Sequence, residues 1–367
     1  MAPAFEIQLI AAVTAAACAI LGTFLVLRGM AMMSDAISHT VLLGIVLTFM
    51  LVRDLKSPFL IVGAALVGLL TVGLTEALNR TRLVKQDAAI GLVFPALFSI
   101  AVILISRFAR GVHLDNDAVL LGELAFAPFD RTIFLGMDLP HSLVVMGQVL
   151  ILNWLMVRLF FKELKLATFD AGLAAALGFS PVLIHYALMG LVSVTAVGAF
   201  EAVGSILLVG LMVAPPATAY LLTDKLERML GLSVIIGAGS AVGGYWLARS
   251  LDANIAGSIT TVIGIVFVLT FLLAPRRGVL AIWRRRERQR YDFAQTMLTI
   301  HLFSHEGSPD YAYESQVMHL QEHLRWDQEF ASEVVHRAQA AQWVQRDNGN
   351  LNLTEAGREQ ARAAIEY

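Results

Sequence analysis

The chain has 367 residues, of which 57% are hydrophobic and 15% are charged, and its formal net charge is −2. Soluble domains carry about 25% charged residues, so this composition excludes an ordinary soluble enzyme and indicates a membrane protein. The single cysteine, Cys18, excludes a disulfide framework and a cysteine metal site.

Apolar segments recur along the first 275 residues. A helix needs about 20 apolar residues to span a bilayer, and backbone groups in lipid must hydrogen-bond within their own segment. Uncharged stretches near this length are 7–27, 57–75, 88–106, 202–223, 229–248 and 253–275. Shorter or less regular candidates are 36–52, 141–157 and 182–200. The sequence therefore predicts an all-α, polytopic transmembrane helical bundle of about eight or nine spans.

Basic residues predict the orientation of this bundle, because Lys and Arg favour cytoplasmic loops. One set of alternate loops holds 16 Lys and Arg up to Arg290, and the opposite set holds 6. This asymmetry puts the C-terminus in the cytoplasm and, with nine spans, the N-terminus outside. The apolar run from Ile7 is too long for a signal-peptide core and follows no basic residue, so we expect a retained span.

Two ionisable side chains stand near the start of the second span, in SDAISHTVLLG (34–44). Asp35 and His39 share one helix face, and such groups are rare in membranes, at roughly 3 kcal/mol each near the bilayer centre. Carboxylate with imidazole suits manganese, zinc or ferrous iron. A structural role is the alternative, with Ser34 or Asp35 capping the helix and His39 bonded to a neighbouring span. The predicted topology sets the pair near the cytoplasmic end, unless residues 28–40 dip into the membrane.

The loop FKELKLATFDAGLAAALGFSP (161–181) predicts a short amphipathic helix on the cytoplasmic side. Thr168 or Asp170 would cap its start, and Gly178 with Pro181 would end it. Such a helix can lie in a groove of a partner ATPase or rest on lipid headgroups, and the residues alone favour neither. The sequence contains no Walker A, HExxH or GxSxG motif. Energy for pumping would therefore come from a partner or an ion gradient.

The composition changes sharply at Pro275. The run PRRGVLAIWRRRERQR is strongly basic, which predicts a juxtamembrane linker over 278–290 that faces anionic lipid. The residues that follow have a soluble composition. The chain is therefore expected to divide into a transmembrane domain (1–277), this linker and a cytoplasmic domain (291–367).

The cytoplasmic domain is expected to be a small α+β fold. Its first half has apolar residues at helical spacing, Asn348-Gly349 is a hairpin signal between short strands, and Thr354 would cap a last helix. This order resembles a winged helix of the iron-dependent repressor type, whose wing is often followed by a run like the LTEAG found here. Twelve acidic and 5 basic side chains give the domain a net charge of about −7. We therefore expect a protein-contact or regulatory module and no bound nucleic acid.

Histidines in this domain offer a second candidate for metal binding. They are His301, His305, His319, His323 and His336. The pair at 319 and 323, with Glu322 beside it, has a possible metal-ligand spacing. Solvated histidines on a helix face are the alternative that the sequence favours.

Several stretches in order resemble the permease subunit of the metal-ion ABC importers, the manganese, zinc and iron class. RGMAMMSDAISHTVLLGI resembles the family's run R-x-A-L-x-G-D-A-L-S-H-x-V-L-P-G, with Ser34 and Leu43 replacing a usual glycine and proline. The later matches, which extend the resemblance from about residue 5 to 278, are TRLVKQDAAIGLVFPALFSIAVILIS, HLDNDAVLLGEL, KELKLATFDAGLAAALGFSP and EAVGSILLVGLMVAPPATAYLLT.

The resemblance implies a non-catalytic, multi-pass permease of the bacterial plasma membrane that passes manganese, zinc or iron and holds no permanent cofactor. A separate ABC ATPase would hydrolyse ATP, an extracytoplasmic solute-binding protein would deliver the ion, and a second permease subunit, identical or related, would complete the path. Asp35 and His39 would lie in the path or its gate. The residues expected to couple to the ATPase are Asp170, Gly172, Leu173, Ala176, Leu177 and Gly178.

Three further questions stay open at this level. Glu201 interrupts a long apolar stretch and either lines the path or marks an outer turn. Four outer residues could receive a cation or contact a binding protein, or lie in a solvated loop: His113, Asp115, Asp117 and Glu123. The alternative functions are a vitamin B12- or siderophore-type permease, which the Asp35–His39 pair disfavours, and a membrane-tethered, metal-responsive regulator.

Overall fold

The computed structural model describes residues 3–54, 57, 59–108, 124–134, 136–347 and 349–366. They fall into two units, Met1–Gly278 and Val279–Tyr367. In chain order the first unit contains helices α1 (Pro3–Leu27), α2 (Met32–Val52), α3 (Phe59–Arg80) and α4 (Gln86–Phe108), strands β1 (Arg131–Phe134) and β2 (Met137–Pro140), and helices α5 (His141–Leu159), α6 (Phe161–Phe169), α7 (Ala171–Ala176), α8 (Pro181–Leu222), α9 (Leu226–Leu251) and α10 (Ile255–Leu273).

Within the described ranges, eight helices are long and apolar enough to cross a membrane, namely α1 to α5 and α8 to α10. Helices α6 and α7 are too short to do so. Helix α1 is the centre of the unit, with fully buried residues such as Leu21 and Phe24 packed against α8 and α9. The outer helices instead expose large apolar side chains, among them Leu66, Ile103 and Ile235. Water would make this surface unfavourable, whereas lipid would cover it, so the fold is that of a multi-pass membrane protein.

Helix α8 is interrupted at Gly204, where the backbone has φ 77° and ψ 172°. Glycine adopts a positive φ without the steric penalty of a Cβ atom. As one straight rod, the 42 residues of α8 would be about 63 Å long, roughly twice the hydrocarbon thickness of a bilayer.

The two halves of α8 run in opposite directions along α1. Near the start of α8, the His185 ring lies 3.4 Å from the guanidinium of Arg28, which directly follows α1. Near its end, Tyr220 and Thr223 line a pocket together with Leu27. Both ends of α8 therefore lie at the same end of α1, which we call the Arg28 end; the opposite end is the Glu6 end.

This reversal explains why eight helices and about nine predicted spans agree. The sequence predicts separate spans over 182–200 and 202–223, and the structure contains both as the halves of α8 on either side of Gly204. The proline pair Pro215-Pro216 lies inside the second half, where the helix continues.

Close contact between α2 and α3 depends on small residues. A Cβ atom on Gly44 would lie 2.5 Å from the Cα atom of Ala64 and 2.5 Å from the carbonyl oxygen of Gly63. One turn earlier, the Thr71 hydroxyl donates to the Thr40 hydroxyl at 2.8 Å. Small residues allow helices in lipid to pack by van der Waals contact and hydrogen bonds, and this contact holds α2 in register.

The Glu6 end carries a short hairpin of β1 and β2, paired from Arg131↔Pro140 to Phe134↔Met137. Arg131 lies 2.7 Å from the Asp138 carboxylate and 3.2 Å from the buried Glu6 carboxylate of α1. The hydrogen bond to Asp138, followed by that to Glu6, raises the pKa of the Arg131 guanidinium. These ion pairs tie the hairpin to the first helix.

The second unit contains α11 (Val279–His305), α12 (Tyr311–Glu314), α13 (Val317–His323), α14 (Gln328–Ala340), the hairpin of β3 (Val344–Asp347) and β4 (Asn350–Leu353), and α15 (Glu355–Ile365). The predicted hairpin and final helix are therefore confirmed, and Thr354 caps α15 by accepting from the Gly357 amide at 3.1 Å. The hydrophobic core of the second unit includes Leu298, Leu320, Val334 and Leu351.

Within the basic stretch 278–290, the residues after Gly278 form the first turns of α11 and are part of the second unit. The physical reason is composition, because Arg, Glu and Gln are strong helix formers. Asn348, which the sequence assigns to the hairpin turn, lies outside the described residues.

Candidate functional site

Asp35 and His39 come together on one face of α2. The Nε2 atom of His39 lies 3.5 Å from the Oδ1 atom of Asp35, and the two side chains are 30% and 31% exposed. Residues around them on the helix, such as Ser34, Ser38 and Thr40, are buried. The pair is therefore a partly exposed polar position among buried residues in the first half of α2.

The capping alternative is not what the structure contains. Helix α2 begins at Met32 after Ala31, with no side-chain hydrogen bond at its cap. Ser34 and Ser38 donate to backbone carbonyl groups of α2, at 2.8 Å to Ala31 and 2.7 Å to Asp35. Neither the serine hydroxyls nor the carboxylate is used to start the helix, so the Asp35 carboxylate stays available to a ligand.

Aromatic side chains of α4 flank the imidazole. The His39 ring stacks on Phe94 with 5.6 Å between ring centroids, and the edge contact with Phe98 is 5.8 Å. Aromatic contacts of this kind fix a ring orientation. The imidazole is thus held beside Asp35 by packing.

The pair lies about halfway through the bundle. His39 contacts Phe94 and Phe98, which are the ninth and thirteenth of the 23 residues of α4. Its neighbour Thr40 bonds Thr71, the thirteenth of the 22 residues of α3. These two helices thus place the imidazole at mid-depth independently of each other.

A contact with α8 also places the pair beside the middle of a neighbouring helix. Ile37 and Ser193 both lie against Gly68, and Ser193 is the thirteenth residue of the first half of α8. Within α2 itself, Asp35 and His39 are the fourth and the eighth of 21 residues. The pair therefore lies in the half of its own span nearer the Arg28 end, as the sequence predicts, and it faces residues near the middle of α3, of α4 and of the first half of α8.

Glu201 is not part of this pair. It is exposed and lies three residues before the reversal at Gly204. It is also eight residues beyond Ser193, about 12 Å further along the helix axis. Of the two interpretations of Glu201, its place in the chain fits the turn between half-length segments better than a ligand beside His39.

A second candidate region is the segment 161–178, which we call the coupling segment. Its two helices, α6 and α7, meet at Asp170, whose carboxylate accepts from the Leu173 amide at 2.8 Å. Of the two predicted caps, Asp170 is therefore the one used. Gly178 ends α7 with φ 88°, a value that suits glycine.

The coupling segment presents apolar side chains to its surroundings. From Phe169 to Ser180, all residues are exposed except Ala174. The large exposed side chains are Phe169, Leu173, Leu177 and Phe179. Because α7 contacts the rest of the unit mainly through Ala174, its remaining surface is free for a partner.

The coupling segment is anchored at the Arg28 end. The Arg28 guanidinium donates to the Thr168 hydroxyl at 3.1 Å, and Lys165 forms an ion pair of 3.0 Å with Glu227 at the start of α9. Movement of this segment would therefore reach α1 and α9 directly.

Sequence reasoning missed a polar network beside Arg28. Glu76 accepts from the Tyr186 hydroxyl at 2.6 Å and pairs with Arg80 at 2.7 Å. This network joins α3 to α8. Its members are distant in the sequence, so the residue spacing within one segment cannot reveal it. The outer residues from His113 to Glu123 lie outside the described residues.

The comparisons with known proteins agree on one group. The model of the ABC 3 transport family matches residues 4–274. The zinc transport system membrane protein TroD of Treponema pallidum is 46% identical over 361 residues, which cover 98% of this chain and 98% of that protein. This alignment includes most of the second unit.

Two further comparisons cover the membrane unit. The manganese transport system membrane protein MntD of Bacillus subtilis is 46% identical over 264 residues, which cover 72% of this chain and 89% of that protein. Among solved structures, PsaBC from Streptococcus pneumoniae in complex with Fab aligns with a TM-score of 0.65 and 29% identity. That alignment covers 77% of this chain and 95% of the other.

Proposed function

The chain belongs to the ABC 3 transport family, and from this premise we propose that it is the transmembrane permease of an importer for a divalent transition-metal ion. The relatives TroD and MntD are named for zinc and manganese transport, which favours these two ions. Iron stays a prediction from the sequence resemblance.

The single observation that carries the proposal is the Asp35–His39 pair, whose imidazole contacts Phe94 and Phe98 near the middle of α4. A half-exposed carboxylate and imidazole in a membrane bundle need a reason, at roughly 3 kcal/mol per ionisable group. Oxygen and nitrogen ligands on one face suit a transition-metal ion, and their 3.5 Å separation allows both to contact one cation.

Two ligands do not complete a metal site, because zinc prefers four. A second permease subunit, identical or related, that presents its own pair across a shared path would supply two more. This arrangement would also account for the partial exposure of each side chain in a single chain. Asp35 and His39 would then hold the ion during passage or gate the path.

Transport energy would come from an ABC ATPase subunit docked on the coupling segment, so this chain itself is not an enzyme. The residues proposed for this contact are Asp170, Gly172, Leu173, Ala176, Leu177 and Gly178. An extracytoplasmic solute-binding protein would deliver the ion at the Glu6 end. The protein would lie in a bacterial plasma membrane with the Arg28 end and the second unit in the cytoplasm.

The second unit is proposed to act as a protein-contact or regulatory module without nucleic acid. Its resemblance to repressor winged helices makes α14 the candidate recognition helix, yet Arg337 of α14 pairs with Glu333 at 2.6 Å and lies over the Tyr291 ring. A DNA-binding face requires free basic groups for phosphates. A gel-shift assay with genomic fragments should show no specific band.

Metal accumulation in cells tests the proposed transport. In cells that depend on this chain for zinc or manganese, elemental analysis of Asp35→Ala and His39→Ala should show at least about tenfold lower uptake, because even mutation of residues that only orient metal ligands costs about 10–100-fold in affinity or activity. Asp252→Asn is a matched control, since Asp252 is exposed and Asn tolerates its left-handed backbone. Uptake equal to wild type in both variants, at equal membrane levels, would overturn the site assignment.

A further inference from the structure

Three side chains from two helices of the second unit converge at the end of α11. His301 and His305 are one helical turn apart on α11, and Glu314 ends α12. One ligand atom from each lies within 4.8 Å of the others. His301 is buried, and the other two are half-buried, so this is a recessed cluster rather than a row of solvated side chains.

Distances in the cluster are close to those of a metal site. The His301 Nε2 atom lies 3.4 Å from the Glu314 Oε2 atom. Tetrahedral zinc with bonds of about 2.0–2.1 Å places neighbouring ligand atoms about 3.3–3.4 Å apart. His301 and Glu314 already have this separation. The ligand atom of His305 lies within 4.8 Å of both, so a rotation of its side chain that shortens these distances by up to about 1.4 Å completes the triangle.

A fourth side chain holds the carboxylate. The His319 Nε2 atom, on α13, lies 2.8 Å from Glu314 Oε2, and the His319 ring packs on Tyr313 at 4.4 Å between centroids. Carboxylates that ligate metals are typically oriented by such neighbours. His319 therefore fixes Glu314 in the position from which it faces both α11 histidines.

We propose that His301, His305 and Glu314 bind a divalent transition-metal ion, with His319 as the residue that positions the carboxylate. Two imidazoles and one carboxylate favour zinc over manganese, because nitrogen ligands suit zinc whereas manganese prefers oxygen. The site lies in the second unit, apart from the Asp35–His39 pair, so it goes beyond transport. The bound ion joins α11 to α12 and makes the conformation of this unit depend on zinc.

From the sequence, the possible metal-ligand spacing is the pair at 319 and 323, and solvated histidines are favoured over it. The side chain of His323 lies outside the described residues, and His319 faces Glu314. The pair at 301 and 305 has the same spacing. Its carboxylate partner comes from another helix, which spacing along one helix cannot show.

Zinc titration of the purified full-length chain in detergent tests the site. The Asp35→Asn/His39→Gln double variant is the background, so that the membrane pair does not contribute. Competition with a chromophoric chelator should show one zinc ion bound per chain. Adding His305→Gln and Glu314→Gln should weaken binding at least about 100-fold, because even indirect changes cost 10–100-fold.

His336→Gln is the matched control, because His336 is exposed on α14 and outside the cluster. It should bind zinc as tightly as the background. Equal affinity in the cluster variants, or equal loss in the control, would overturn the proposal. Circular dichroism and melting without metal verify that each variant is folded.

His305→Cys gives a second readout that a folding defect cannot imitate. If residue 305 is a ligand, cobalt bound to this variant acquires a thiolate-to-cobalt charge-transfer band in the near ultraviolet. Cys18 is buried in the first unit, so the background protein should lack the band. Cobalt binding without this band would overturn the assignment of His305.

Discussion

The exposed leucines of the coupling segment allow a quantitative prediction of ATPase docking. Leu173 is 48% exposed and Leu177 is 61% exposed. Fully burying a leucine contributes about 1.5–3 kcal/mol, so the exposed shares are worth about 0.7–1.4 and 0.9–1.8 kcal/mol. The Leu173→Ala/Leu177→Ala variant should therefore bind the ATPase subunit about 15- to 200-fold more weakly, since 1.4 kcal/mol is tenfold in Kd.

The assay is equilibrium binding of the transporter's purified ATPase subunit to the full-length chain in detergent. Leu251→Ala is a matched control, because Leu251 is 65% exposed but ends α9 at the opposite end of the unit. Its Kd should equal that of wild type. Unchanged binding of the double variant, or the same loss for Leu251→Ala, would refute docking on the coupling segment.

Three other predictions concern stability and metal. Gly44→Ala should destabilise the fold by roughly 1–3 kcal/mol through overpacking, because the new Cβ atom would meet Ala64, and the melting temperature should fall. Gly91→Ala should leave the melting temperature unchanged, because Gly91 has open space around it. Asp170→Ala should lower metal uptake, because it removes the N-cap of α7, which is worth about 1 kcal/mol. Asp170→Asn keeps a capping oxygen and should retain uptake; equally low uptake in both variants would contradict this explanation. Zinc at 100 times its Kd should stabilise the second unit by about 2.7 kcal/mol, and a melting curve unchanged by chelator would argue against the proposed zinc site.

Much of the fold could be predicted, because a helix that crosses lipid must be an apolar stretch of about 20 residues, which can be recognised in the sequence itself. Uncharged stretches of the right length mark the helices, and the break between 182–200 and 202–223 shows as Glu201 and the following glycine. The Asp170 cap and the Thr354 cap were also predictable, since each is a local contact between residues three apart. Periodicity and capping are properties of single segments.

The surroundings of the Asp35–His39 pair could not be predicted from the sequence. They consist of residues from α3, α4 and α8 that are distant along the chain, and contacts such as that of Thr40 with Thr71 hold α2 against them. The histidine cluster of the second unit was missed for the same reason, because Glu314 and His301 come from different helices.

Transport by the assembled importer in proteoliposomes tests the central proposal most directly. Radioactive zinc or manganese uptake and ATP hydrolysis are measured in the same vesicles for wild type, Asp35→Asn and His39→Gln. The proposal predicts uptake at least about tenfold lower in both variants, with the ATPase subunit still bound and active. Wild-type uptake by both variants would contradict a metal path that passes this pair.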